Sequence, residues 1–229
     1  MKQALISRMI SNQMTIKTLV KKGLQKHGRL KFKPELNCIP LKQYGTTYSF
    51  KSFNKVKIQG ISRKILLRTG NQLQIADELA NANLIKRPDG YYLKVTAFIN
   101  KENYDFIKTN GKEIGLDFGV KTSITTSEGE KLDAHVEESE RLKKLQRELF
   151  RRVKGSNNRR KTIKLIQREY QKLSNKKQDK ANKIVSKLKQ YDRIYMQDEQ
   201  LAGWQKGQFG KQIQHSCLGT VKAKLKALP

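Results

Sequence analysis

The chain of 229 residues carries 49 Lys and Arg against 20 Asp and Glu, which gives a formal net charge of +29. Its length suits one large domain or two small ones, and no run approaches the roughly 20 apolar residues that a membrane span needs. The polar start MKQALISRMISNQMTIK lacks the apolar stretch of a secretory leader, so we expect an intracellular protein. The charge excess favours a polyanionic partner, most naturally nucleic acid, over a basic protein without one.

The first half of the chain predicts a helix followed by short strands. Apolar positions recur at helical spacing within residues 1–30, up to the region of Gly28. Residues 31–110 predict a small antiparallel sheet or barrel, with strands in GTTYSFKSF, NKVKIQGI, KILLRTG and GYYLKVTAFI and a turn at RPDG. The Tyr and Phe side chains interleaved with Lys and Arg could contact nucleic acid, or most of them could be core.

The cysteines and histidines predict no zinc site in this chain. Cys38 and Cys217 lie far apart and make no CxxC pair, and the three histidines show no ligand spacing. We expect two idle or buried thiols in a reducing compartment.

Residues 113–127, EIGLDFGVKTSITTS, predict a strand, a tight glycine turn and a second strand. Asp117 closes the first strand, where the turn would leave its carboxylate exposed. The acidic residues 128–140 predict a further strand and the start of a helix.

Residues 141–190 predict a basic helical hairpin. They hold 19 Lys and Arg and 3 acids, and the two apolar stripes of the hairpin are separated by GSNN at 155–158. The basic faces could be merely solvated, but such a density of like charge favours nucleic-acid contact. The candidate contacts are Arg151, Arg152, Lys154, Arg159, Arg160, Lys161, Lys164, Lys176 and Lys177.

The last part of the chain predicts a strand in RIYMQDE, a polar loop after Trp204 and one amphipathic helix over 211–228. If the strand extends through Glu199, then Gln197 and Glu199 share a face while Asp198 points away. Two strand-borne carboxylates, Asp117 and Glu199, would suit Mg²⁺, although a third carboxylate is normally expected in such a site.

Several of these segments resemble the TnpB/OrfB family, which bacterial insertion sequences encode. IGLDFGVKTSITTSEG resembles its first RuvC motif and YDRIYMQDEQLAGW its second, while FGKQIQHSCLGTVKAKLKAL is similar to the helix that follows in one branch. Upstream, GRLKFKP, PLKQYGTTYSF, NKVKIQGI and RPDGYYLKVT resemble the family's β-rich wedge-type domain.

The resemblance implies a mixed fold, α+β or α/β. Residues 1–30 would be a helical segment of a partial N-terminal domain, and residues 31–110 a β-rich, wedge-type barrel domain that binds nucleic acid. Residues 111–229 would be an incomplete RNase H-like (RuvC) domain with a basic helical insertion at 137–190.

The resemblance also assigns the site. Asp117 matches the family's first catalytic aspartate, which makes it a catalytic residue and metal ligand. The second motif departs from the commoner Glu-Asp-Leu-Asn pattern, because Gln197 stands where the glutamate is expected. Either Glu199 replaces that glutamate as catalytic residue and metal ligand, or the site is inactive.

The family implies an RNA-guided, Mg²⁺-dependent DNA endonuclease. Its expected partners are DNA and a guide RNA from the transposon end, and no membrane partner is expected. Its expected location is the bacterial cytoplasm, in association with the nucleoid. The family's zinc ribbon and last RuvC aspartate have no counterpart before Pro229. We therefore expect a truncated copy with impaired cleavage. The alternatives are a nuclease-inactive, RNA-guided DNA-binding regulator and an inactive pseudogene remnant.

Overall fold

A computed structural model describes residues 2–26, 28, 36–52, 54–68, 76–100, 102 and 109–228. The chain divides into two compact units, residues 1–105 and 106–229. The architecture is a mixture of helices and several small sheets, as the sequence predicts.

The first unit begins with helix α1 (Lys2–Lys21). The helix ends before Gly23, which adopts a positive φ of 69°, and so it stops short of the predicted end at Gly28. Large apolar side chains such as Met9 and Met14 are exposed on α1.

Six strands of the first unit form two open, antiparallel, three-stranded sheets, with orders β1-β5-β6 and β2-β3-β4. Their bounds are β1 (Cys38–Leu41), β2 (Tyr48–Ser52), β3 (Lys55–Ile58), β4 (Ile65–Leu66), β5 (Glu78–Arg87) and β6 (Gly90–Phe98). Pro88 and Asp89 make the predicted tight turn, since Arg87 pairs directly with Gly90.

One apolar cluster joins these two sheets. Leu41 and Ala82 from the first sheet pack with Tyr48, Val56 and Ile58 from the second. The Tyr48 hydroxyl also donates a hydrogen bond to the Ala80 carbonyl at 2.8 Å. The expected barrel is wrong for the described strands: they are held together by side-chain packing, and no strand pairing closes the two sheets into a cylinder.

The second unit contains a four-stranded sheet of order β10-β7-β8-β9. Strand β10 runs parallel to β7, and the other pairs are antiparallel. Along β7, Ile114, Leu116 and Phe118 are buried and alternate with the more open residues. The strands are β7 (Glu113–Phe118), β8 (Ile124–Thr126), β9 (Lys131–Leu132) and β10 (Arg193–Met196).

Two long helices lie between β9 and β10 and form the predicted hairpin. Helix α2 (Glu140–Arg151) and helix α3 (Asn157–Leu188) are capped at their N-termini by Ser139 and Ser156. Leu142 and Leu145 of α2 pack against Ile166 of α3. The C-terminal part of α3 continues over the sheet, where Ala181, Ile184, Val185 and Leu188 join its core.

The C-terminal segment differs from its prediction. Helices α4 (Leu201–Lys206), α5 (Gly210–Gln214) and α6 (Leu218–Leu225) replace the expected loop and single helix. The break between α5 and α6 arises because the backbone there bonds elsewhere: the Cys217 amide donates to the Ala134 carbonyl at 2.9 Å, and the Val136 amide donates to the His215 carbonyl at 2.6 Å.

Candidate functional site

Asp117 lies on the open face of β7, near the end of the strand. Its neighbours Leu116 and Phe118 point into the core, so strand alternation leaves the Asp117 carboxylate exposed. The turn that follows is tight: a Cβ at Gly119 would lie 2.7 Å from the Thr122 carbonyl oxygen. Glycine at this position therefore lets the chain turn back at once and keeps the strand end open.

The parallel pairing of β10 with β7 brings the carboxyl ends of both strands to the same edge of the sheet. Met196 pairs with Leu116 in the last step of the register. One further step in the same register would set Gln197, not an acid, opposite Asp117.

The predicted strand through Glu199 is too long, since β10 ends at Met196. Residues 197–200 form a connection to α4, so face alternation does not determine where Glu199 points. In the connection, side chains of α6 bond to Asp198 and Glu199.

Two lysines of α6 hold this connection. The Lys222 ammonium donates to the Glu199 carbonyl at 2.6 Å, and the Lys222 side chain is only 10% exposed. Lys226 Nζ lies 2.9 Å from Asp198 Oδ1, and Lys222 Nζ lies 3.5 Å from the same oxygen. The hydrogen bond from Lys226, with the charge of both lysines, lowers the pKa of Asp198 below its usual value.

The Glu199 carboxylate is half-buried, and its Oε2 is buried without a hydrogen-bond partner among the described residues. A buried carboxylate oxygen is costly unless a cation or a donor satisfies it. Hard carboxylate oxygens are also the donors that Mg²⁺ prefers, and Mg²⁺ often takes only one or two of them from the protein. The donor chemistry of Asp117 and Glu199 thus fits Mg²⁺, although the described residues contain no cluster of three or more His, Cys, Asp or Glu that could hold a metal.

Sequence reasoning missed Lys222 and Lys226. The signal is present in VKAKLKAL, because residues four apart share one face of a helix. What the sequence lacks is the information that this face meets residues 198 and 199.

The nine predicted basic contacts separate into two groups in the structure. Three have structural partners: Arg152 pairs with Glu148 at 3.7 Å, Arg159 donates to the Leu149 carbonyl at 2.7 Å, and Lys177 donates to the Gln214 carbonyl. The other six are exposed and make no ion pair or side-chain hydrogen bond within the described part of the chain. These are Arg151, Lys154, Arg160, Lys161, Lys164 and Lys176.

No helix in the described ranges is long and apolar enough to cross a membrane. The described residues present a basic surface on the α2–α3 hairpin and, at one edge of the sheet, the exposed carboxylate of Asp117.

Residues 101–198 match the family model OrfB_IS605, described as "Probable transposase". The matched segment contains Asp117, both hairpin helices and β10. The chain is therefore similar to the TnpB/OrfB family of transposases. It is also 25% identical over 179 residues to the protein named "Putative RNA-guided DNA endonuclease InsQ" of Escherichia coli (strain K12). That alignment covers 74% of this chain and 44% of InsQ, so the chain spans less than half the length of this curated relative.

Proposed function

We propose that this transposase-family protein acts in RNA-guided, metal-dependent cleavage of DNA, with Asp117 and Glu199 as carboxylates of an RNase H-like (RuvC) centre. The observation that carries the proposal is the parallel pairing of β10 with β7, which brings Asp117 and the segment containing Glu199 to one edge of the sheet. The name of the relative InsQ supports the same activity.

The two carboxylates would have different roles. Asp117 is exposed and can meet a metal ion together with the phosphate of an incoming strand. Glu199 would supply the buried oxygen that has no hydrogen-bond partner in the described part of the chain, while Lys222 fixes its backbone. A Mg²⁺ ion held there would neutralise charge that develops on the phosphodiester oxygens.

The nucleic-acid partners, DNA and a guide RNA, would lie along the α2–α3 hairpin. Its exposed Lys and Arg have few acids to neutralise them, and Glu169 is already engaged with Lys172 at 2.8 Å and Arg141 at 3.6 Å. Lysine and arginine side chains that lack internal partners are available to phosphates, and their binding releases counterions.

The test is cleavage by the ribonucleoprotein purified from cells that carry the native locus. The substrate is duplex DNA complementary to the retained RNA, with Mg²⁺ or with EDTA. We expect Mg²⁺-dependent nicking or cleavage by the native protein and none by Asp117→Asn, which keeps the size of the side chain and removes its charge. Equal cleavage by both proteins would refute the assignment of Asp117.

A second candidate function is RNA-guided DNA binding without cleavage, as in a regulator. Gln197 favours it, because a neutral amide stands at the register position opposite Asp117. Under this alternative the native protein binds its target without cutting it, and Gln197→Glu creates Mg²⁺-dependent cleavage. If the first proposal is right and Glu199 is the metal ligand, the native protein cleaves DNA without Gln197→Glu, and Glu199→Gln abolishes that cleavage.

A further inference from the structure

The tip of the α2–α3 hairpin carries two exposed apolar side chains on a basic surface. Phe150 is 92% exposed and Val153 is 76% exposed. The buried stripe of α2 passes through Leu142, Leu145 and the half-buried Leu149. Phe150 comes one residue after Leu149, which turns its side chain about 100° away from the contact with α3. The aromatic ring is therefore presented to solvent by the helix geometry.

The hairpin tip is held by several hydrogen bonds. The Arg159 guanidinium donates to the Leu149 carbonyl at 2.7 Å and to the Arg152 carbonyl at 3.4 Å. The Ser156 hydroxyl accepts a hydrogen bond from the Arg159 amide at 3.2 Å, and Gly155 takes the positive φ of 86° that the turn requires. These bonds hold the backbone at the end of α2, so only the side-chain torsions of Phe150 have to be ordered when a ligand covers the ring.

The charged surroundings of Phe150 favour an anionic ligand. Arg151, Lys154 and Arg160 are exposed around the tip and have no ion-pair partner among the described residues. The nearby acid, Glu148, already pairs with Arg152 at 3.7 Å. An exposed aromatic ring on a tip that also carries cations without ion-pair partners among the described residues matches a ligand that has both phosphates and flat bases.

We propose that this tip is a base-stacking contact for nucleic acid with accessible bases. The Phe150 ring stacks on an unpaired base, and Arg151 and Lys154 bind the phosphates on either side of it. This inference rests on the proposed nucleic-acid role of the hairpin and deepens it, because it names single-stranded or opened nucleic acid as the ligand. Base–aromatic stacking is tolerant of sequence, so the contact needs no sequence preference.

A membrane surface is the less favoured partner for the same tip. Membrane-surface helices bury a continuous apolar face that includes several large side chains. Here the helix that precedes the tip buries its apolar stripe against α3, and Phe150 and Val153 are the large apolar side chains left exposed at the tip.

The experiment measures binding of a fluorescent single-stranded oligonucleotide to the whole chain and to three variants of Phe150. We expect Phe150→Ala to weaken binding by about 5- to 150-fold, which corresponds to the loss of one stacked base. Phe150→Trp should retain the native affinity. Phe150→Leu keeps apolar bulk but loses the π-face, and it should behave like Phe150→Ala.

The dependence of affinity on salt separates stacking from charge. Phe150→Ala should leave the salt slope unchanged, whereas the double variant Arg151→Ala, Lys154→Ala should lower it. Native affinity in Phe150→Ala would overturn the stacking contact. If the double variant still lost affinity in that case, the nucleic-acid role of the hairpin would stand.

Two other outcomes overturn the proposal. Native affinity in Phe150→Leu would mean that the side chain contributes bulk and not a stacking face. Phe150-dependent binding to vesicles with anionic lipids, without Phe150-dependent binding to the oligonucleotide, would assign the tip to a membrane surface. Because Phe150 packs so little within the chain, its variants should fold, and unchanged circular dichroism would confirm this.

Discussion

Lys222→Met tests whether α6 holds the segment that contains Glu199. The native ammonium donates to the Glu199 carbonyl at 2.6 Å from a side chain that is 10% exposed. Methionine keeps the aliphatic stem and removes the donor, so little cavity forms and the hydrogen bond is the main loss. Hydrogen bonds to charged groups contribute about 1.5–3 kcal/mol to folding, and we expect a loss of that size.

The measurement is equilibrium unfolding in urea, followed by the fluorescence of Trp204. This is the only tryptophan in the chain, and it packs against the core of the second unit from α4, directly after the segment in question. Lys226→Met is the matched control, because its partner Asp198 is largely in water and an exposed ion pair adds little. The control should unfold like the native chain.

The rival expectation for Lys222→Met comes from the cost of burying a charge. Replacing a buried charged group by an apolar one of similar size can be neutral or stabilising. An unfolding free energy equal to that of the native chain, or equal effects of both variants, would refute the idea that Lys222 fixes the connection.

Three further predictions concern the carboxylates and the hairpin. Asp117→Ala should leave nucleic-acid affinity in EDTA nearly unchanged, because a carboxylate attracts phosphate only through a metal; a marked loss in a filter-binding assay would contradict this. Replacing Arg160, Lys161 and Lys164 by alanine should lower the salt slope of duplex binding by about 2–3, and an unchanged slope would mean that they face only solvent. The hydrogen bond from Lys172 lowers the pKa of Glu169 below its usual value of 4.5, although burial opposes this shift. The contact therefore stabilises the folded chain above pH 4.5, and this stabilisation is lost as the pH falls through the folded-state pKa. Glu169→Gln should remove this acid step from hydrogen exchange at the hairpin, and an unaltered step would assign it to another group.

The parts of the fold that local sequence patterns determine could be predicted. The alternation in EIGLDF gives β7 and the exposure of Asp117, and the spacing of Leu142 and Leu145 gives the inner face of α2. Gly155 and the polar residues beside it mark the turn of the hairpin. Each of these signals acts within a few residues, so the sequence alone is enough.

The parts that depend on distant partners could not be predicted. Strand β5 was missed because ELANANLIKR has weak alternation, and its pairing with β1 and β6 determines its structure. The C-terminal helix was predicted as one element, but hydrogen bonds to Ala134 and Val136 break it before Leu218. A helical pattern in 211–228 cannot show that its backbone groups have partners far away in sequence.

The candidate site shows the same division. Asp117 follows from its own strand, whereas the placement of Glu199 depends on where β10 ends and on Lys222 from α6. Strand parity alone would put Glu199 on the face of Gln197. In the structure, Lys222 holds the connection through the Glu199 carbonyl, and Glu199 Oε2 has no hydrogen-bond partner among the described residues.

The RNA bound to the native protein tests the central claim most directly. The protein would be purified from cells that carry its own locus, and the nucleic acid extracted from it would be sequenced. The proposed RNA-guided role predicts a discrete RNA that maps beside the gene and that is lost when Arg160, Lys161 and Lys164 are replaced by alanine. Random cellular RNA, or no RNA, would contradict it. The net charge of +29 would then mean only that the protein attracts polyanions non-specifically.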